Sequence, residues 1–128
     1  MLDTLEAEGL AENTIVVFSN DNGAATYLKT DNAGLRGRKG TVWEGGLRVP
    51  YSVCWPAQLK AGTTSATPAN TLDVGYTLCS VAGYGQAEIE ALQLHGTDLR
   101  IAAKDEAIDR ALYWAEAIQR RFAMATGN

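Results

Sequence analysis

Leu2, Leu5 and Leu10 recur at near-helical spacing in LDTLEAEGL, so residues 2–10 predict a short helix whose end Gly9 loosens. Ala11-Glu12-Asn13 makes the connection to residues 14–19, TIVVFS, a short continuous apolar run. Such a run predicts a strand covered on both faces, as in a parallel sheet. Helix, short loop and buried strand form half of an α/β unit. Residues 47–55, LRVPYSVCW, predict a second strand. Pro50 has no N–H for a ladder, so it belongs at the start of that strand or on an edge. Pro56 to Thr67 predicts a surface loop. Residues 71–82, TLDVGYTLCSVA, predict a helix with Asn70 or Thr71 as N-cap, Asp73 in its first turn and Gly83 closing it. Residues 84–104 carry little pattern, and 105–126 fit a helix followed by a strand, or two strands. No internal repeat or low-complexity tract interrupts the chain.

Between the two predicted strands, from Asn20 to Gly46, periodicity vanishes. Glycines stand at 23, 34, 37, 40, 45 and 46. A loop this long in a compact domain is usually functional or disordered. Leu35 and Trp43 among its polar residues favour an ordered, functional loop. Gly45-Gly46 predicts a tight turn into the second strand, Trp43 is expected to pack over the loop, and Glu44 and Arg48 are expected to pair.

Composition narrows the classes. The 128 residues suit one small domain, and the 46% hydrophobic fraction is enough for a core. The formal charge, 11 − 15 = −4, argues against a general nucleic-acid binder. No run of about 18 apolar residues marks a membrane span, and no signal peptide is legible. Cys54 and Cys79 lie in apolar surroundings and are expected to be buried free thiols.

The apolar run 14–19 ends abruptly in Asp21-Asn22-Gly23. On these residues alone two readings stay open. The side chains form an Asx turn that ends the strand, or they supply a carboxylate and a carbonyl oxygen, hard ligands that calcium or magnesium accepts. The C-terminal end of a strand is where α/β folds bind ligands. Lys39, flanked by Gly37 and Gly40, can approach an anion closely and stabilise charge developing on it. Arg36, Arg38 and Arg48 could also attract an anion, but they read as structural or surface cations. His95 reads as exposed or capping. No GxxxxGK[ST] spacing supports a nucleotide-binding loop.

The stretch Leu35-Arg36-Gly37-Arg38-Lys39-Gly40-Thr41-Val42-Trp43-Glu44-Gly45-Gly46-Leu47-Arg48-Val49-Pro50, following Asp21-Asn22-Gly23 and preceding Trp55-Pro56 and Thr71-Leu72-Asp73, resembles a sulfatase of the arylsulfatase type, in the alkaline phosphatase-like superfamily. The resemblance runs from about residue 2 to residue 101, with a weaker likeness from Arg110 onward to the family's small C-terminal sheet. It implies an α/β fold, part of an alkaline phosphatase-like sandwich with a mostly parallel central sheet, over residues 1–104, and the start of the C-terminal subdomain over 105–128. It implies that Asp21 and Asn22 are ligands of a divalent cation, calcium or else magnesium, and that Lys39 contacts the sulfate and assists the leaving group. The implied substrate is a sulfate-ester small molecule or glycan, with no nucleic-acid partner.

The family's nucleophile is a formylglycine made within a C/S-x-P-x-R motif. That motif does not occur in these 128 residues, and Cys54-Trp55-Pro56-Ala57-Gln58 does not match it. The expectation is therefore a C-terminal-half fragment, inactive alone, with formylglycine in a missing N-terminal part. A non-catalytic binding remnant, or a phosphate or phosphonate ester hydrolase of the same superfamily, are the competing readings.

Overall fold

The structure is a computed structural model, and it describes residues 1–27, 31–104, 110–116 and 121–126. The chain divides into two compact units. The first is built from Met1–Ile15, Cys54–Arg110 and Thr126–Asn128, and the second from Val16–Val53 and Ala111–Ala125.

In the first unit, helix α1 spans Leu2–Ala7 and a 3-10 turn spans Ala11–Asn13. The helix stops short of Leu10 because Gly9 takes a left-handed backbone, φ +68°. Later in the chain come α3 (Thr71–Val81), α4 (Gln86–Ala91) and α5 (Leu99–Ala102), with α4 and α5 both packed against α3. The start of α3 is a capping box: the Asn70 side chain accepts from the Leu72 amide at 2.9 Å, and Asp73 Oδ2 accepts from the Asn70 amide at 2.7 Å. Gly83, φ +94°, lies just past its other end. The helices α4 and α5 fall in the segment whose sequence carries little pattern; with six and four residues they are too short for a helical period to register. Trp55, Ile89, Leu99 and Ala102 are the buried apolar side chains of this unit.

Buried polar groups tie the unit together. Asp73 is fully buried, and its carboxylate accepts from the Asn70 and Thr97 amides and from Arg110 at 3.0 and 3.1 Å. Thr77 donates to the Asp73 carbonyl and accepts from the Leu99 amide, joining α3 to the start of α5. Asp98 pairs with Arg100, whose guanidinium also donates to Ser80. Burial pushes the Asp98 carboxyl up, but the Arg100 hydrogen bonds and charge, with help from Ser80, outweigh it and hold the carboxyl below its ordinary value.

In the second unit, β1 (Val16–Ser19) pairs with β2 (Tyr51–Cys54), and β3 (Ala111–Glu116) pairs with β4 (Arg121–Thr126). The Asn20 amide donates to the Pro50 carbonyl, setting the end of β1 against the residue just before β2. Pro50 stands immediately before its strand, where its missing N–H costs no ladder bond.

Several expectations need correction. The strand ending at Ser19 is not covered on both faces: Phe18 is 61% exposed and the rest of the strand is half-buried. Among the described residues the strands form two separate two-stranded sheets. Gly45-Gly46 is not a turn but lies in a short helix α2, Glu44–Leu47, which leads toward β2. Cys54 is exposed, because β2 alternates and Ser52 and Cys54 share its open face; Cys79 is half-buried, and both thiols are free. Of the region 105–126, the two strands are present, and residues 105–109 and 117–120 lie outside the described residues. No helix among the described residues is long and apolar enough to cross a membrane.

Candidate active-site segment

The second unit brings together two stretches that the sequence sets apart: Asp21-Asn22-Gly23-Ala24 and the loop 35–46. The Gly23 amide donates to the Gly46 carbonyl at 3.1 Å. The Lys39 amide donates to the Ala24 carbonyl at 3.0 Å. Asn32 bridges them: its Oδ1 accepts from the Ala24 amide at 2.8 Å, and its Nδ2 donates to the Gly37 carbonyl at 2.7 Å. The loop is also closed on itself. The Gly45 amide donates to the Arg36 carbonyl at 2.7 Å, and Thr41 Oγ1 donates to the Arg38 carbonyl while accepting from the Arg38 amide.

Glycine is required where these backbones meet. A Cβ on Gly23 would stand 1.7 Å from the Gly45 carbonyl oxygen, and one on Gly45 would stand 2.3 Å from the Gly37 oxygen. Only hydrogen fits there. Gly23 is therefore a contact point between the two stretches, and Gly37, Gly45 and Gly46 are points of close packing within the loop, whereas Gly34 and Gly40 have open space around them.

These bonds bear on the Asx-turn reading of Asp21-Asn22. An Asx turn at either residue would use the amide two positions on. Those amides belong to Gly23 and Ala24, and both are committed elsewhere, to Gly46 and Asn32. Among the described residues, the side chains of Asp21, Asn22 and Lys39 have no hydrogen-bond or ion-pair partner. Asp21 and Lys39 are exposed and Asn22 is half-buried. A carboxylate and an amide oxygen, adjacent at a strand's end and left free, suit a hard divalent cation. They are only two donors, and no group of three or more His, Cys, Asp or Glu gathers among the described residues.

The remaining cations behave differently. The Arg36 guanidinium lies 3.6 Å from the Trp43 ring centroid, so Trp43 does pack on the loop. Arg38 reaches the Thr26 carbonyl at 3.4 Å. Arg48 pairs with Glu44 at 3.3 Å, as their spacing suggests. His95 is exposed. Asn32 has no counterpart in the sequence reading. Its local context, Asp31-Asn32-Ala33-Gly34, reads as a turn, and nothing local signals that its side chain spans to residues 24 and 37.

The family model described as Sulfatase matches residues 1–84. Over 91 residues the chain is 38% identical to the steryl-sulfatase of Mus musculus, covering 65% of this chain and 15% of that protein. It is 33% identical over 117 residues to a sulfatase of Formosa agariphila, covering 88% of this chain and 21% of the relative, and 39% identical over 95 residues to arylsulfatase A of Homo sapiens, covering 71% and 18%. The crystal structure of Ps i-CgsB in complex with k-i-k-neocarrahexaose is similar in fold, with a TM-score of 0.75 at 31% identity over 88% of this chain and 25% of that one. The chain spans about a fifth or less of the length of these curated relatives. With a family match across most of its residues, including the Asp21-Asn22-Gly23 segment and the loop that carries Lys39, the chain belongs to the sulfatase family.

Proposed function

We propose that this chain supplies part of a site that hydrolyses sulfate esters, with Asp21 and Asn22 as ligands of a divalent cation, calcium or else magnesium, and Lys39 as the residue that contacts the sulfate. The observation that carries this reading is the pair of backbone bonds, Gly23 to Gly46 and Lys39 to Ala24, that hold the Asp-Asn segment against the lysine loop. Loop position is thereby fixed by strand position, as a preorganised site requires. The similarity to enzymes named as sulfatases supports the reaction class.

A bound cation would neutralise sulfate oxygens and lower the cost of bringing an anion to the site. The chain's own residues do the rest of what is proposed here. Asp21 contributes an anionic oxygen and Asn22 a neutral one. Lys39 presents its ammonium to a sulfate oxygen or to the bridging ester oxygen, where negative charge grows as the S–O bond breaks. The nucleophile, formylglycine in the implied chemistry, would come from a segment outside these residues. The Ps i-CgsB structure, in complex with a neocarrahexaose, makes a sulfated glycan a candidate substrate class alongside small aryl esters.

The test is a full-length sulfatase containing this segment, assayed with a chromogenic aryl sulfate and for bound metal. Asp21→Ala should lose metal and most activity. Lys39→Ala should keep the metal and lower kcat by about 10²–10³, the usual effect of removing one charge-stabilising donor. Metal retention by Asp21→Ala, or unchanged turnover by Lys39→Ala, would remove the assignment.

A further inference from the structure

Asn22 is followed by Gly23, and Asn-Gly is the dipeptide in which asparagine most readily loses its side-chain amide. The next backbone nitrogen attacks the side-chain carbonyl carbon, and glycine leaves that approach uncluttered. The other internal asparagines, Asn13, Asn20, Asn32 and Asn70, precede Thr14, Asp21, Ala33 and Thr71, whose side chains hinder the attack. The fold makes the Asn-Gly pair unavoidable. A Cβ at position 23 would stand 1.7 Å from the Gly45 carbonyl oxygen and 2.7 Å from its carbon, so only glycine fits. The same packing restrains the pair. The attacking nitrogen is already committed, since the Gly23 amide donates to the Gly46 carbonyl at 3.1 Å. Ala24 is held on both sides, its amide by Asn32 Oδ1 at 2.8 Å and its carbonyl by the Lys39 amide at 3.0 Å. Ring closure needs the Gly23 nitrogen to turn toward Asn22 Cγ and give up its proton, and the docked loop opposes both. Among the described residues nothing bonds the half-buried Asn22 side chain itself.

We propose that Asn22 is a deamidation site gated by the loop 35–46, closed while Gly23 is docked on Gly46 and reactive when the loop lifts. In the first step the Gly23 nitrogen bonds to Asn22 Cγ, the Cγ–Nδ2 bond breaks, and ammonia leaves with the Gly23 amide proton. Water then opens the resulting succinimide at either of its two carbonyls, giving aspartate or isoaspartate at position 22. Each product adds a negative charge beside Asp21, and the isoaspartyl link also lengthens the backbone there. This goes beyond the proposed function, because the reaction needs no bound cation and no ester substrate. Its rate is set by the fraction of molecules in which the loop is locally open.

The experiment is incubation of the full chain, without metal, in mildly alkaline buffer over a series of urea concentrations up to complete unfolding. Peptide mapping by mass spectrometry follows aspartate and isoaspartate at position 22, and hydrogen exchange follows the Gly23 amide. In the unfolded chain Asn22 should convert faster than Asn13, Asn20, Asn32 or Asn70. In the native chain it should convert more slowly by about tenfold or more, the protection that local closure confers. Across the series its rate should rise in step with Gly23 exchange. Asn32→Ala, which frees the Ala24 amide, should speed conversion in native buffer about fivefold, the change in open population that one lost hydrogen bond allows. Retention of Asn22 in the unfolded chain overturns the site. Equal conversion in native and unfolded chains, or conversion that does not follow Gly23 exchange, overturns the gate. So does unchanged conversion in an Asn32→Ala chain whose Gly23 exchange has quickened; should that variant not fold, the urea series of the unaltered chain decides alone.

Discussion

The Lys39 amide donates to the Ala24 carbonyl at 3.0 Å, which ties the lysine loop to the segment two residues beyond Asn22. A glycine-rich loop left to itself would sample many backbone conformations. Here its path is set by bonds to residues 23 and 24 and by the Asn32 bridge. Preorganisation of the proposed site follows from that relationship, and it can be broken one bond at a time.

Asn32 is the first such bond. Asn32→Asp keeps an acceptor for the Ala24 amide but replaces the donor to the Gly37 carbonyl with a carboxylate oxygen. The loss should be about 1–3 kcal/mol, the cost of leaving a partly buried polar group unmatched. Hydrogen exchange at the Lys39 and Ala24 amides should accelerate in the variant, while exchange in α3 stays unchanged.

Gly45→Ala tests the close packing of the loop. The new methyl would stand 2.3 Å from the Gly37 carbonyl oxygen and 2.8 Å from that of Leu35, both backbone atoms that cannot swing away. Destabilisation of about 1–3 kcal/mol or more is expected in denaturant unfolding. Gly40→Ala makes no close contact, but its φ of +80° predicts a smaller loss from backbone strain alone.

Arg110→Ala should be among the most damaging substitutions in the first unit. Asp73 is fully buried, and Arg110 is its charge partner. Removing one member of a buried pair costs about 3–5 kcal/mol, because the other charge is left without compensation. Arg110→Ala together with Asp73→Asn should recover part of the loss, and a double-mutant cycle by thermal unfolding measures how much.

Acid should weaken the first unit through Asp98. Its carboxyl sits below the ordinary value in the folded chain, held there by Arg100 and Ser80 against the effect of burial. A depressed folded pKa adds stability that is complete above the unfolded value, about 3.9, and fades as pH falls through the folded one. Unfolding free energy followed from pH 6 downward should therefore fall below about pH 4, and Asp98→Asn should flatten that fall. An unchanged slope in the variant would assign the acid sensitivity elsewhere.

Local signals were legible and long-range ones were not. The α3 cap is readable because Asn70 and Asp73 lie three residues apart and answer each other's backbone. The Glu44–Arg48 pair is readable for the same reason. The Asp73–Arg110 pair is not, because 37 residues separate its members and no local pattern links them. Gly45-Gly46 misled in a different way. Glycine pairs favour turns, yet these two are helical, and the packing of the carbonyls of residues 35–41 against them leaves no room for a Cβ. Cys54 misled because an apolar neighbourhood in sequence says nothing of which face of an alternating strand is open. The motif singles out the candidate segment, but the bonds that commit the Gly23 and Ala24 amides are visible only in three dimensions.

If Asp21 and Asn22 are cation ligands as proposed, they should bind the ion without help from the Lys39 side chain. A calcium titration of the 128-residue chain, followed by NMR at the Asp21 and Asn22 side chains, tests it most directly. Two protein donors leave most of calcium's six to eight positions to water, so binding should be weak, on the order of millimolar. Saturable shifts confined to residues around 21 and 22 are expected, abolished by Asp21→Ala and unchanged by Lys39→Ala. Calcium shifts that persist in Asp21→Ala, or that centre on other carboxylates, would contradict it.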